Sequence, residues 1–495
     1  VISSEAAVPS NVSLSAGSAP HSSLRDSALL AAAGSGLLAS QYIASREIGS
    51  TFFVTELSIV VATVITLIGP SLSYAIGDRL RGSKRWFRLW ALLALVFHLA
   101  LPWGVRALVA ACGPAHSMVA GCLVALGVAL LCGYYAVLLP LHANATSLPR
   151  LYAAELIGAL LTLLLLTAAP SYHIIILGFL LLPVLVAGIG FGRWIALCVW
   201  IIAGSVWIAS SHLDRWASTS YFQRYHSMTA PKVLESVYSP YQRIDVVEDS
   251  GDTALFLDGV PFYRSGDLDA FNVFLAELPG ALRPGRGNAL VVGSGSFSSA
   301  ARLHRLGYRV QVIELDGLVA EVGFRRFQSV HKLTAGQVSV RIDDARRVLA
   351  TTDERFDLIV LDVPAPYRIQ TALLHAPAFY RQVAAHLALH GVAAISLCDG
   401  LTEPLGKQIA ASAVQIFGEV MVVESNSVGL AVLYGASSLP FSQDEVVKAL
   451  SVRDPQGGQV VPDRLVRSAA LDAAPLSERD LLGVLLLSRQ AASSQ

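Results

Sequence analysis

Charge is scarce in this chain. Asp, Glu, Lys and Arg make up 15% of 495 residues, and they cancel, with 36 basic against 36 acidic side chains. A net charge of zero leaves no electrostatic footprint for a nucleic acid, so neither DNA nor RNA is expected as a partner. Cysteine is sparse too. Cys112, Cys122, Cys132, Cys198 and Cys398 show no Cys-x-x-Cys pair and no Cys/His ligand spacing, which argues against a disulfide framework or a zinc site. They read as small core residues, and no metal is expected. Apolar residues fill the space that charge leaves: 54% of the chain is hydrophobic and its mean hydropathy is +0.56. That excess lies before about residue 211, so the first part reads as a membrane domain and the lipid bilayer as its partner.

Residues 1–26 are rich in Ser, Ala and Pro with little to bury, and are expected to form a disordered tail. Within 27–210, apolar runs fall at 27–45, 51–77, 86–110, 115–141, 151–169, 172–191 and 194–210. Each is near the ~20 residues needed to cross ~30 Å of hydrocarbon. The first is the most diluted, by Ser35, Ser40 and Gln41. Glu56, His98 and Glu155 fall within these runs, where an ionisable group is a functional candidate by default and a satisfied core residue otherwise. Arg79, Arg81, Lys84, Arg85, Arg88, Arg150 and Arg193 fall on one side of the spans, which the positive-inside rule assigns to the cytoplasm.

A polar, aromatic stretch at 211–236 reads as a linker. The period then changes from helical to two over 239–248 and 253–260, a hairpin by its Asp249-Ser-Gly-Asp252 turn, giving a small β-hairpin domain at 237–275. The stretch from Ala289 to Asp316 reads as a buried strand, a glycine turn at Gly293 and Gly295, a helix over 297–306, and a second strand ending in Glu314. Such a turn offers helix amides to a ligand, and an acid about 20 residues on accepts hydrogen bonds from ribose hydroxyls. The third glycine site is Ser298, so a small nucleoside of the S-adenosyl type suits the turn better than a dinucleotide. Further strands are expected at 338–342, ending in Asp343-Asp344, at 357–361, ending in Asp362, and at 391–397, with an antiparallel pair at 418–424 and 429–434. Together 276–436 form an α/β Rossmann-like domain of the S-adenosyl methyltransferase type, whose ligands sit at the strands' C-terminal ends. A polar extension with short helical patterns near 444–450 and 478–487 occupies 437–495 and carries no assigned chemistry.

In order, Tyr241-Gln242, Leu257-Asp258-Gly259-Val260, Gly293-x-Gly295, Ile313-Glu314-Leu315-Asp316, Asp344-Ala345-Arg346, and 357–362 followed by Phe379-Tyr380 resemble the motifs of the spermidine synthase family, the polyamine aminopropyltransferases. The membrane half is similar to the multi-span region fused to some bacterial members. The resemblance implies decarboxylated S-adenosylmethionine, or S-adenosylmethionine itself, as co-substrate and a small-molecule amine as acceptor. It implies Glu314 on the ribose, Asp344 on the adenine amino group with Asp343 beside it, Gly293 and Gly295 along the nucleoside, and Gln242 near the reacting end.

The catalytic set departs from the family pattern. The loop Asp-x-x-Asp-Pro, whose second Asp is the proposed base, reads Asp362-Val-Pro-Ala365-Pro366, leaving Asp362 as the candidate catalytic residue. The glycine-loop acid is Ser296, the Tyr-His or Tyr-Gln pair is Phe271-Asn272, and Asp267 and Asp269 are the nearest replacements. Three readings stay open: an aminopropyltransferase with altered activity, an S-adenosylmethionine-dependent methyltransferase, and a non-catalytic membrane scaffold or ligand sensor. The expected location is a bacterial inner membrane with the nucleoside domain in the cytoplasm, and a homo-oligomer or membrane partner protein is left open.

Overall fold

The computed structural model describes residues 24–52, 56–81, 83–169, 171–283, 285–398, 400–425, 430–453 and 458–476. Nearly all of the expected N-terminal tail and the helical pattern at 478–487 lie outside the described residues. Seven helices come first, each long and apolar enough to cross a membrane. They are α1 (Leu24–Gly49), α2 (Glu56–Arg81), α3 (Lys84–Cys112), α4 (Ser117–His142), α5 (Leu148–Ala168), α6 (Tyr172–Gly190) and α7 (Arg193–Arg224).

The polar dilution of α1 has a packing reason. Its Ala32, Ala33, Gly34 and Gly36 are buried, so neighbouring backbones come close. Ser35 Oγ donates to Gly158 O at 3.0 Å on α5 and Ser40 Oγ to Gly36 O at 2.6 Å. A Cβ on Gly34 would lie 1.9 Å from Glu155 O, and one on Gly158 would lie 1.9 Å from Ala31 O, so two glycines set the spacing of α1 and α5. The outward faces of α2, α5 and α7 instead carry large exposed side chains such as Leu72, Leu160, Leu165, Trp194 and Ile202.

Two cysteines depart from the expected core role. Cys132 is buried, but Cys122 and Cys198 are exposed on the apolar outer surface. His98 is a satisfied core residue, its Nε2 2.7 Å from Phe179 O and its Nδ1 3.0 Å from the Tyr135 hydroxyl. The Tyr74 hydroxyl donates to Glu155 Oε1 at 3.4 Å, and the side chain of Glu56 lies outside what the structure describes.

Within the expected linker, residues 211–224 continue α7 as helix: Asp214 and Ser218 accept from Arg243 of the next domain, while Ser211, His212, Arg215, Gln223 and Arg224 stay exposed. That domain is a four-stranded antiparallel meander rather than a two-stranded hairpin: β1 (Lys232–Tyr238), β2 (Arg243–Asp249), β3 (Asp252–Leu257) and β4 (Val260–Arg264), in that order. The two outer strands bury the hydrogen-bonding edges that an isolated hairpin would expose.

Two short helices, α8 (Asp267–Asn272) and α9 (Leu278–Leu282), lead into the second sheet. It follows as β5 (Asn288–Gly293), α10 (Ser298–Arg305), β6 (Arg309–Glu314), α11 (Gly317–His331), β7 (Ser339–Ile342), α12 (Ala345–Thr351) and β8 (Phe356–Asp362). Then come α13 (Ile369–Ala372), α14 (Pro377–Ala385), β9 (Leu387–Ser396), α15 (Pro404–Val414), β10 (Glu419–Ser425), β11 (Ala431–Ala436), α16 (Gln443–Arg453), β12 (Gly458–Val461) and α17 (Asp463–Ala470). The eight strands lie in the order β12-β10-β11-β9-β8-β5-β6-β7, with β7, β6, β5, β8 and β9 parallel and the rest antiparallel.

Period-two burial separates two cores. Leu290, Val292, Ile359 and Leu361 face α12, α14 and α15 on one side, while Ala289, Val291, Leu358 and Val360 face α10 and α16 on the other. Helices on both faces explain why these strands read as unbroken apolar runs. Connections run outward in opposite directions from β5 and β8, so the chain reverses between Gly293 and Asp362, the place where open α/β sheets bind ligands.

The α1–α5 contact gives a test. Gly158→Val should lower the melting temperature of the detergent-solubilised protein by several degrees, through overpacking of about 1–3 kcal/mol. Gly178→Ala, where an added Cβ meets nothing within 4 Å, should not.

Candidate active site

Three parallel strands deliver the candidate residues side by side. Asp362 ends β8, Gly293 ends β5 in direct register with it, and Glu314 ends β6 on the far side. Gly293 has φ +84°, and a Cβ there would lie 2.1 Å from Asp362 O, so this glycine is required twice over. The turn continues through Ser294 at φ +89° and Phe297 at φ +63°, two side-chain-bearing residues in the left-handed region. Such conformations persist where the surroundings impose them, commonly at ligand sites.

Gly295 serves packing. A Cβ on it would meet Val319 Cγ1 at 2.8 Å, Leu255 Cδ2 at 3.4 Å and Phe262 Cε1 at 3.5 Å, and its carbonyl oxygen lies 1.8 Å from where a Cβ of Gly323 would be. On its Cβ side Gly295 thus lets α11 and the meander come up against the turn. Gly323, which sequence reasoning passed over, is the partner that allows it.

Asp362 is buried and its carboxylate is held from one side. Ser299 Oγ lies 3.0 Å from Asp362 Oδ2 and 2.8 Å from Asn272 Oδ1. The hydroxyl has one hydrogen, so with Asp362 ionised it donates to Asp362 and takes a hydrogen from the Asn272 amide in its alternative orientation. Asn272 thus orients Ser299. Burial pushes the Asp362 carboxyl up to about 6 against a single opposing bond from Ser299.

Glu314 is raised to about 7, first by burial and then by the Asp316 and Asp362 charges, against amide donation from Asp316 at 3.2 Å. Asp316, read from sequence only as part of a motif, caps α11 by accepting from Leu318 N at 3.1 Å and accepts Ser239 Oγ at 2.5 Å. Gln242 reaches the same carboxylate, its Nε2 3.5 Å from Asp316 Oδ2. The meander is thereby tied to the Glu314 end of the sheet.

The other acids are committed elsewhere. Asp344 caps α12, accepting from Arg346 N at 2.9 Å, and pairs with Arg346 Nη2 at 2.8 Å. Asp343 turns to Arg341 at 2.9 Å and to Arg347, which holds it outside the neighbourhood of Asp362. Asp269 is bonded to Ser298 and pairs with Arg302 at 2.7 Å, and the side chain of Asp267 lies outside what the structure describes. Asp258 sits at φ +51° in the β3–β4 turn, accepts Arg243 N at 2.8 Å and pairs with Arg368 at 2.5 Å. Ala365 packs against the core and offers no polar group, while buried Ser296 accepts only Ser298 N at 3.3 Å. His375, unnoticed in the sequence, is neutral, its ring pushed down to about 4 by burial; it bridges the Tyr380 hydroxyl at 3.1 Å and Pro364 O at 3.3 Å, bracing the loop after Asp362.

Residues 269–423 match the spermine/spermidine synthase domain. The chain carries a domain of the spermidine synthase-like family. Its relatives include a polyamine aminopropyltransferase of Leptospira biflexa, 27% identical over 34% of this chain and 61% of that protein. Another, from Thermoplasma acidophilum, is 31% identical over 31% of this chain and 58% of that protein. The chain thus spans about 60% of the length of these curated relatives. Among solved structures, spermidine synthase from Thermotoga maritima is 20% identical over 44% of this chain and 78% of that one, with TM-score 0.39. A probable spermidine synthase from Corynebacterium glutamicum is 19% identical over 49% and 96%, with TM-score 0.41. The helical region before the spermidine synthase-like domain lies outside the matched domain.

The raised Asp362 carboxyl has a consequence for stability. The folded protein holds this proton between about pH 4 and 6, where the unfolded chain has released it, so the buried carboxyl costs nothing at low pH and most above pH 6. Asp362→Asn should therefore raise the melting temperature at pH 7.5, for a gain of at most about 3 kcal/mol, and change little at pH 4. A pH-independent difference would show that the carboxyl is not desolvated.

Proposed function

We propose that the C-terminal domain binds an S-adenosyl-type nucleoside at the Gly293 turn and transfers an aminopropyl group from decarboxylated S-adenosylmethionine to an amine. Glu314 takes the ribose hydroxyls, Asp344 uses its remaining lone pairs on the adenine amino group, and Gln242 lies toward the reacting end. Asp343, spent on two arginines, is left out of this set. The observation that carries the reading is the pair Glu314 and Asp362: two carboxylates at the switch of a parallel sheet with no ion-pair partner among the described residues, both raised by burial. The neutral amine attacks the methylene beside the sulfonium, the carbon–sulfur bond breaks, and methylthioadenosine leaves as a neutral thioether. Asp362, ionised at neutral pH with its carboxyl near 6, accepts the proton whose removal frees the acceptor nitrogen's lone pair for this attack, and the product nitrogen remains an ammonium.

A second reading, a domain that binds the nucleoside without transfer, is favoured by Ala365, which packs on the core where the family has an acid. The two separate by binding and turnover. Methylthioadenosine or decarboxylated S-adenosylmethionine at 100 times its dissociation constant should stabilise the protein by about 2.7 kcal/mol, and Glu314→Ala should abolish the shift. Asp362→Asn should keep the shift and lose at least a hundredfold in transfer, as expected for removal of a general base. No shift with either ligand or with S-adenosylmethionine sinks both readings; a shift without turnover leaves the second.

We further place the seven helices across a bacterial inner membrane, with the nucleoside domain in the cytoplasm, where S-adenosyl compounds are made. The basic residues at the opposite ends argue the other way by charge alone. One of those guanidiniums is occupied, however, as is that of Arg25 at the start of α1. Arg81 Nε donates to Pro140 O at 3.0 Å and its Nη2 to Ala143 O at 2.6 Å, while Arg25 Nε donates to Ile189 O at 2.6 Å, so these arginines cap helix ends. A fluorescent protein that matures only in the cytoplasm, fused to the C-terminus, should glow; a dark fusion at normal expression reverses the orientation.

A further inference from the structure

A second site lies away from the glycine turn, where the helical bundle meets the meander. A cavity of about 410 Å³ opens there, and its walls include Trp103 of α3, Tyr172 of α6, Trp207 and Asp214 of α7, Glu47 of α1 and Tyr238 of β1. Four aromatic rings and two carboxylates around one space make an environment suited to an organic cation.

The hydrogen bonding around Glu47 is incomplete in a specific way. Glu47 is 1% exposed, and its Oε1 accepts from the Tyr172 hydroxyl at 2.9 Å and the Tyr238 hydroxyl at 2.8 Å. Its Oε2 has no hydrogen-bond partner. Arg243 also lines the cavity, with Nη1 3.9 Å from that oxygen, but its donors are directed elsewhere. Nε donates to Asp245 at 3.2 Å, Nη2 to Asp214, Ser218 and Ser236 at 2.9, 2.9 and 2.6 Å, and Nη1 to the Tyr238 hydroxyl at 3.3 Å. The neighbouring Arg106 is likewise taken up, by Asp245 at 2.8 Å, Ser218 at 3.2 Å and Ser50 O at 3.2 Å. Two carboxylates and one guanidinium therefore line the cavity, and a buried carboxylate oxygen left unpaired in such a place is costly. His173 is on the same wall with its ring edge-on to Trp207 at 6.0 Å.

We infer that this junction cavity binds an organic ammonium ion, its charge against Glu47 Oε2 and Asp214 and its carbon surface against Trp103, Trp207 and the Tyr172 ring. The inference stands apart from the nucleoside reading, since no residue is shared. Tetramethylammonium, which cannot serve as an acceptor in any transfer, is the probe, with tert-butanol as an uncharged control of like shape. Calorimetric titration of the full-length protein in detergent should show saturable binding of the cation and none of the alcohol. Glu47→Gln should weaken it at least tenfold, Trp207→Leu and Asp214→Asn at least fivefold, and Asp362→Asn should leave it unchanged. Should Glu47→Gln fail to fold, the other two substitutions, on the more exposed wall, carry the test. Absence of saturable binding, equal binding of the alcohol, or binding that survives the cavity substitutions overturns the inference.

Discussion

A guanidinium removed from water needs acceptors for its hydrogens, and two such groups are buried at the junction of this molecule, where Arg106 Nε has no hydrogen-bond partner among the described residues. Arg243 is 2% exposed and Arg106 1%, and between them they draw on α1, α7, β1 and β2. Asp245, shared by both, loses by burial but is held down to about 2 by the two cations. A network of this kind adds little net stability over apolar packing, because desolvation offsets the attraction. Its effect is on geometry: breaking any member leaves a buried charge, so the meander has one tolerated seat on the bundle. The meander in turn places Leu255 and Phe262 against Gly295 and Ser239 against Asp316. One set of buried charges thus fixes the glycine turn relative to the helices.

The acids near the end of the parallel sheet divide by what faces them. Asp258, Asp269, Asp343 and Asp344 each meet an arginine. Asp316 has a helix amide and a serine. Glu314 and Asp362 have only amide or hydroxyl donors, and both pay for burial with a raised pKa. Acids of the first kind complete the fold by themselves. Those of the second kind keep acceptor capacity that the protein does not fill, and the sugar and the amine of the proposed reaction have the chemistry that would fill it.

What the sequence made legible follows from the range of each interaction. The seven spans, the glycine turn and the parallel strands were readable because apolar period and turn chemistry act over a few neighbouring residues. The diluted first span was readable as a span but not as the tightly packed partner of α5, since Gly34 and Gly158 are meaningful only as a pair. The stretch from 211 was misread as a linker because its polar face looks solvent-bound until Arg243, distant in sequence, is placed opposite Asp214 and Ser218. For the same reason Asp316 was read as part of a motif without its tie to Ser239, His375 and Gly323 went unnoticed, and Asp343 was grouped with Asp344 although the two carboxylates turn to different arginines. Motif order pointed to the candidate residues; long-range pairing shows which of them are already held by an arginine.

The continuity of α7 has a mechanical corollary. A linker between bundle and sheet would let the two halves move independently, and occupancy of one would be invisible to the other. Here the helix that begins at Arg193 runs unbroken to Arg224, and its polar end carries both Asp214 on the junction cavity and Ser218 on the two arginines. A cation arriving at Glu47 therefore competes with the guanidinium that holds the meander, and the meander holds the turn beside Asp316. The cavity and the Glu314 end of the sheet are joined through the Glu47–Arg243 pair, the Arg243–Tyr238 ladder, the adjoining Ser239, its bond to Asp316, and the bond from Asp316 N to Glu314. Coupling through such a chain needs two discrete arrangements of the network, and Glu47 Oε2, which has the Arg243 guanidinium at 3.9 Å and no hydrogen-bond partner among the described residues, is the member of it least tied in place.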